Sequence, residues 1–577
     1  MPLQQWIHHW EEGAGARILK VFAAVLGFIA VAGLYHLFAY QSFSSEEAME
    51  SAQLARNISR GDGFTTHCIR PLAIYLLDKK VQAMPDITNP PVYPLLLAGL
   101  MKVLPVHFTA TQYWYYEPER WISLFNQLLF FLAVVLLFRI ARQLFDSRVA
   151  WSSAILFAGT SLFWKFSISG LSTLWVVVVF LAMVMCLVKI AHRTEKPPIG
   201  WSALAGVVVG VGGLSRYSFA WMIVPVILFL ALGGRKPRAA CCAAAGLCFL
   251  IVMGPWMARN IVLSGTPFGT ASFAVLQETP PLEEDTLERS LDPRTALRRV
   301  EPFDLMDKFL IGAREMWSND LPRLGGNWVT GFFLVGLLMP FQSPARGRIR
   351  LFLVESIILL FIVQALGRTH LTADYPEINS ENLLVLVAPL IFIYGVALFY
   401  TLVDQLNIVT ERSRGAIVGV FLALMSAPLI ILLLIGTTPE FYSSYSPMHI
   451  QRVGRLMGPE ELVMSDIPAG VAWYGDRDCS WLSSDDDQEF LKINGLRPVK
   501  ALYLTQRTSE SRFLSQMVSN PKSWGHFFFQ CEAHLECQGH GEVPSGFPLT
   551  KAPSGFLPDQ LLLSDRARWH LPEKKEK

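Results

Sequence analysis

"ARILKVFAAVLGFIAVAGLYHLFAYQSFSSEEAMESAQLARN", residues 16–57, joins two kinds of sequence. The first half is an apolar run behind Arg17 and Lys20. A helix needs about 20 such residues to cross a bilayer core. The run is too long for a cleaved signal peptide, and no small-residue cleavage site follows it, so 18–39 is expected to be a first membrane span. In the second half, Glu46, Glu50, Gln53 and Asn57 make one stripe, and Ala48, Met49, Ala52, Ala55 and Ile58 lie near another face. That spacing is an amphipathic helix. The chain leaves the membrane and at once presents two adjacent carboxylates, Glu46 and Glu47. Ser44 and Glu47 have the S-x-x-E spacing of a capping box, which gives Glu47 a structural task and leaves Glu46 to the polar stripe.

The remaining sequence repeats the apolar theme. Of 577 residues, 52% are hydrophobic, 12% aromatic and only 17% charged, against about 25% charged in soluble domains. Apolar runs fall near 121–143, 149–165, 168–190, 200–214, 218–233, 239–257, 327–342, 351–367, 382–403 and 415–436. With the first, these predict a polytopic α-helical membrane protein of about eleven spans. A net charge of +2 carries no footprint for nucleic acid. Basic residues cluster after alternate spans: Arg139, Arg142 and Arg148; Lys189, Arg193 and Lys196; "GGRKPR" at 233–238; Arg346, Arg348 and Arg350; Arg412 and Arg414. Basic loops stay cytoplasmic. The expected arrangement is a multi-pass inner (plasma) membrane protein with a cytoplasmic N-terminus and an external, periplasmic tail.

This organisation divides the chain into a transmembrane domain, 1–437, and an external C-terminal domain, 438–577. The external loops 40–120 and 258–326 belong to the first. In loop 40–120 the amphipathic helix ends at "RGDGF", and "NPPVYPLLLAGLMKVLP" (89–105) starts a second helix too short to span. Both are expected to lie along the membrane interface. In the tail, "ELVMSD", "CSWL" and "VKALYLT" read as strands, and "PAGVAWYGD", "DQEFLKIN" and "SRFLSQMV" as helices. The alternation predicts a small α/β domain with a parallel sheet over about 455–520. After about 540 the chain is rich in Pro and Gly and is expected to be loosely ordered. No P-loop or GxGxxG is present. "SSDDDQE" (483–489) reads as a solvated helix start, not a calcium loop. Cys531 and Cys537 either form a local disulfide in an oxidising compartment or stay free.

Several segments, in order, resemble the membrane-embedded type C glycosyltransferases, especially the protein O-mannosyltransferase and aminoarabinose-transferase branch. "EEAMESAQLARNISRGDGF" (46–64) is similar to that family's acidic pair, helix and G-x-G-F turn. "NPPVYPLLLAGLMKVL", "ERWISLFNQLLFF" (119–131), "GGLSRYSF" (212–219) and "GPWMARNIVLSGTPFGT" (254–270) are similar to later signatures. The resemblance covers about 40–275 and is topological beyond. It implies a glycosyltransferase that takes a sugar from a polyprenyl-phosphate-linked donor, with inversion, and passes it to a lipid, glycan or protein acceptor outside the membrane. Two departures stand out. The family's acidic pair usually begins with Asp, here Glu46. Many members also carry an acid in the second external loop, whereas "WKFSISGLST" (164–173) has none.

Such a transfer needs a carboxylate to take the acceptor's proton and cations to meet the departing phosphate. Glu46, matching the family's leading acid, is the candidate base, with Glu47 in support. Arg216 and Arg259, at external helix ends, are the first candidates for the donor phosphate. A snorkelling interfacial arginine is the plain alternative. Lys165, Lys79 and Lys80 are weaker phosphate candidates. Arg368 and His370, in "GRTHLTADYPEINSEN" (367–382), are candidates to line the donor pocket, and Tyr93 to stack on a sugar. Capping accounts for Glu381 and Asn382. Glu46 and Glu50 lie one turn apart and could share a divalent ion, but no metal or other cofactor is expected. A transporter or flippase of lipid-linked sugars, or a non-catalytic scaffold, are the alternative functions. The first would call for inverted repeats and broken midplane helices.

Overall fold

The computed structural model describes residues 14–569 except 41, 79–83, 113–114, 193–197, 234–236, 283–284, 326–327, 340–342, 370–380, 407–409, 436–444, 485–487, 510–522, 539–542, 544–545 and 554–559. Seven helices among them are long and apolar enough to cross a membrane. The first five are α1 (Ala14–Ala39, apolar from Ile18), α4 (Glu117–Leu144), α7 (Thr173–His192), α10 (Arg238–Ser264) and α13 (Pro344–Gly367). The last two are a 3-10 turn running into α14 (Ala388–Gln405) and α15 (Glu411–Ile435). The other four expected spans are shorter or broken. The run at 149–165 divides into α5 (Ser147–Ala158) and α6 (Ser161–Ile168). α8 (Ile199–Gly213), α9 (Ile223–Gly233, after the 3-10 turn Tyr217–Met222) and α12 (Trp328–Gly336) complete the set.

Local chemistry accounts for the breaks and for the closest packing. Asp146 caps α5, accepting from the amides of Arg148 and Val149 at 2.8 and 2.9 Å. On α8, Gly206 and Gly210 form a G-x-x-x-G seam against α10. A Cβ at Gly206 would lie 2.1 Å from the Ala245 carbonyl oxygen. Two membrane helices can approach this closely only with glycine between them.

Outside the bilayer set, α2 (Glu46–Arg60) ends at Gly61, whose φ of 95° closes the helix in the left-handed conformation that glycine supplies. The second loop helix is α3 (Val92–Val103). The sheet order is β1-β3-β2-β4-β5, from β1 (Cys68–Ile69), β2 (Leu462–Ser465), β3 (Cys479–Trp481), β4 (Val499–Leu504) and β5 (Leu561–Ser564). The expected parallel core β3-β2-β4 is present. Its edges were not foreseen. β1 comes from the 40–120 segment, pairing Cys68 with Cys479 in parallel. β5 pairs antiparallel with β4 and lies in the stretch expected to be loose. Alternation seals it: Leu561 and Leu563 enter one core and Leu562 the other. Of the expected tail helices, 468–476 and 487–494 are found, the latter within α17 (Gln488–Leu496), and 511–518 lies outside the described residues. Cys531 is a free, buried thiol, and the side chain of Cys537 lies outside those described.

The C-terminal domain is therefore built onto the first loop, and α2 does not lie bare on the membrane. Its polar stripe is buried as well as its apolar face. Arg56, 1% exposed, donates to the carbonyls of Trp473 (2.6 Å) and Ala472 (2.8 Å) and pairs with Asp476 at 2.7 Å. Trp473 in turn donates to Glu119 at 2.7 Å, at the start of α4. A fully buried arginine is tolerated because these partners satisfy its charge.

Candidate active site

α2 starts at Glu46 because Ser45 is the extended cap residue, with φ −100° and ψ 127° and no side-chain cap bond. The capping box expected from Ser44 and Glu47 is therefore not formed, because with Ser45 at the cap the third helical residue is Ala48, which has no side-chain oxygen. Consecutive helical residues point about 100° apart, and the two glutamates separate accordingly.

Glu46 is turned toward the C-terminal domain and is 9% exposed. Its carboxylate accepts from the Tyr445 hydroxyl at 3.0 Å and pairs with Arg507. Arg507 also donates to Tyr445 at 2.7 Å. It rides on the short helix α18 (Gln506–Ser509), anchored by Asp466. One Asp466 oxygen accepts from the amides of Thr505 (2.8 Å) and Thr508 (3.2 Å) and from both hydroxyls. Burial raises the Asp466 carboxyl, and these bonds pull it back.

Glu47 is turned the other way, with 40% of its side chain exposed, and faces Arg216 at 3.6 Å. Arg216 sits where α8 gives way to the following 3-10 turn. Its Nη2 donates to Ser172 Oγ at 3.3 Å, and its Nη1 is buried without a hydrogen-bond partner among the described residues. Burial pulls the guanidinium down, while Glu47 and Glu381 push it up. A buried cation facing one carboxylate, with one donor unspent among the described residues, can meet a further acceptor.

Glu381 was missed in the sequence, where capping explained it. Its oxygens instead accept from the Thr369 amide at 3.0 Å and the Thr369 hydroxyl at 2.7 Å. The turn that follows is capped by Gln364, which accepts from the Leu383 and Leu384 amides at 2.8 and 3.3 Å. Burial pushes the Glu381 carboxyl up to about 7, with Glu47 adding to the rise and Lys308 opposing it. Lys308, on α11 (Pro302–Glu315), donates to the carbonyls of Ala274, Val275 and Gln277 at 3.0, 3.2 and 2.6 Å. Burial lowers it to about 8, against the pull of Glu381. No periodicity or motif marks Glu381 or Lys308, because their partnership exists only once the external segments fold together.

The other candidates scatter. Tyr93 is 1% exposed, with its hydroxyl on Asn126 (3.2 Å) and the Gly170 carbonyl (2.9 Å), so no ring face is open to a sugar. It braces the second external loop beneath Glu47. Arg259 lies over Trp256 at 4.4 Å and donates to the Asp86 carbonyl and Asn260, each at 2.9 Å. Arg368 pairs with Glu315 at 2.5 Å, fastening α11 to the end of α13. Lys165 is half-buried on α6, four residues before Ser169 in the same loop. His370, Lys79 and Lys80 lie outside the described residues. Glu50 does not face Glu46. It is 3% exposed and bound to Arg70 (2.6 Å) and Asn89 (3.1 Å). Among the described residues no three His, Cys, Asp or Glu side chains cluster to hold a metal ion.

Comparison with known proteins agrees with this architecture. The family model described as dolichyl-phosphate-mannose-protein mannosyltransferase matches residues 88–258. The crystal structure of the Archaeoglobus fulgidus oligosaccharyltransferase tethered with an acceptor peptide containing the NVT sequon is similar at TM-score 0.54 and 12% identity, over 90% of this chain and 72% of that one. The archaeal oligosaccharyltransferase AglB from the same organism, in complex with an inhibitory peptide and a dolichol-phosphate, is similar at 0.52 and 12%, over 88% and 72%. No curated protein matches the chain by sequence. The resemblance read from the sequence is borne out: the chain has the type C glycosyltransferase fold and is a multi-pass membrane protein. The family-model match and the fold likeness point the same way.

Proposed function

We propose that this protein transfers a sugar from a polyprenyl-phosphate donor to a hydroxyl acceptor on the external face, with Glu47 as general base and Arg216 as the phosphate-binding cation. The observation that carries the reading is the Glu47–Arg216 pair, a carboxylate with 40% of its side chain exposed beside a buried guanidinium nitrogen that has no hydrogen-bond partner among the described residues. Glu46, favoured in the sequence by its match to the leading acid of the resembled family, is given a positioning role because Arg507 and Tyr445 occupy its carboxylate.

In this mechanism Glu47 takes the proton of the acceptor hydroxyl as its oxygen attacks the anomeric carbon from the face opposite the phosphate. The anomeric C–O bond breaks and its electrons leave on the phosphate, whose growing charge Arg216 meets in a water-poor setting. Ser172 holds Arg216 in place, and Glu381 favours its charge through space. Under this reading arginine supplies the charge stabilisation, with no divalent ion required.

The test compares Glu47→Gln, Glu46→Gln and wild type in membranes supplied with radiolabelled polyprenyl-phosphate sugars. Transfer should collapse in Glu47→Gln and persist in Glu46→Gln. The opposite order would return the base to Glu46, and full activity in both would remove the acidic pair from the chemistry. A reporter fused after Lys577 tests the external placement of the tail. Addition of a chelator should leave transfer unchanged. A second reading has one observation behind it: the second external loop gives Arg216 a serine, Ser172, and no carboxylate. A member that binds the lipid phosphate without transferring would show donor binding and no product with any acceptor.

A further inference from the structure

The membrane domain encloses a cavity of about 920 Å³ that the proposed chemistry does not use. It lies between α1, α4, α5 and α15, walled by side chains such as Val21, Phe28, Phe131 and Phe138. Its size is near the top of the range for small-molecule sites, about 300–1,000 Å³. The outer walls are open to lipid, since only 6% of the apolar window of α1, and 6% of that of α15, is buried inside the protein.

One end of the cavity is cationic. Arg139 and Arg142, one helical turn apart on α4, both line it and both are exposed. Neither has an ion pair or hydrogen bond among the described residues. Trp151 and Gln143 complete this end. From residue 119, which touches the external domain, to residue 139, α4 rises roughly 30 Å, the thickness of a hydrocarbon core. The arginines therefore lie at the membrane face opposite Glu47 and Arg216.

We propose that this cavity is a binding site for an anionic glycerophospholipid, with acyl chain in the apolar part and phosphate on Arg139 and Arg142. An acyl chain entering an apolar cleft of this size gains dispersion contacts along its whole lining, and the adjoining leaflet supplies such chains. Basic pockets between membrane helices select anionic headgroups. The polyprenyl donor does not fit the same role, because its phosphate has to reach Arg216 at the other face. The inference is independent of the transfer chemistry.

Native mass spectrometry of the full-length protein, equilibrated with equimolar phosphatidylglycerol and phosphatidylcholine, tests it. Wild type should retain one phosphatidylglycerol. Arg139→Gln with Arg142→Gln should reduce its preference for phosphatidylglycerol roughly thirtyfold. Gly27 lines the cavity, and a Cβ there meets nothing within 4 Å. Gly27→Phe should therefore fill the space and expel the lipid while the protein keeps its melting temperature. Equal retention of the two lipids by wild type would overturn the proposal. So would unchanged retention in Gly27→Phe or in the double arginine variant, or displacement of the phospholipid by an equal amount of polyprenyl phosphate.

Discussion

Arg507 pairs with Glu46 across 461 residues of sequence, while the next residue, Glu47, faces Arg216. One helix start thus serves two assemblies. Through Glu46 it fastens the C-terminal domain to the first external loop, and through Glu47 it contributes to the candidate site. The two glutamates are a single helical step apart.

Arg507→Ala leaves the buried Glu46 carboxylate with Tyr445 alone. The expected cost is about 1–3 kcal/mol, the range for a charged group that loses its partner. Thermal unfolding should register it, together with faster proteolytic cleavage between the membrane domain and the sheet. An unaltered cleavage pattern would mean that Arg56 and Trp473 hold the domain without help.

Removing the guanidinium of Arg216 should be felt in the transfer step. For a group that stabilises developing charge, the expected loss in kcat is about 10²–10³-fold for Arg216→Ala. Arg216→Lys should recover little, since a lysine cannot span Ser172, Glu47 and a phosphate with one planar fork. Steady-state kinetics with a polyprenyl-phosphate sugar decide it, and wild-type kcat in Arg216→Lys would argue for a point charge only.

Glu381 makes stability depend on pH in a defined window. Its folded pKa, about 7, is raised above the ordinary 4.5. The folded state therefore holds the proton more tightly, and the stabilisation is fully present below about 4.5 and lost as pH rises through about 7. Glu381→Gln cannot ionise, so its melting temperature relative to wild type should climb from pH 5 to pH 8. A constant difference across that range would place the titration elsewhere.

Gly206→Leu tests the seam between α8 and α10. The added side chain starts 2.1 Å from the Ala245 carbonyl oxygen, and overpacking of this kind costs about 1–3 kcal/mol or more. Gly200→Leu on the same helix is the control, because a Cβ there meets nothing within 4 Å. The first should melt earlier in detergent and the second as wild type.

Much of this protein is legible before any folding is considered. Apolar length marks the seven long spans, and turn residues such as Gly61 mark where α2 stops. The short apolar run 499–504 marks a central strand. The four weaker spans were harder, since a short or interrupted apolar run looks the same whether it crosses the bilayer or packs inside a bundle. β5 escaped notice because a four-residue strand in Pro- and Gly-rich surroundings has no signal of its own. It becomes a strand by pairing with β4.

By itself, then, the sequence determined the membrane character, the fold class, the order of elements and the presence of an acidic pair after the first span. Each of these follows from hydrophobicity, periodicity or local backbone preference, which neighbours in the chain express together. Only the tertiary structure decided that Glu47 faces Arg216, that Glu381 and Lys308 come within electrostatic reach, and that Tyr93 is a brace. Those outcomes depend on desolvation and Coulomb interaction between groups hundreds of residues apart, such as Glu46 with Arg507 and Glu47 with Glu381. Both act through space and fall off over a few ångströms, so no spacing along the chain encodes them.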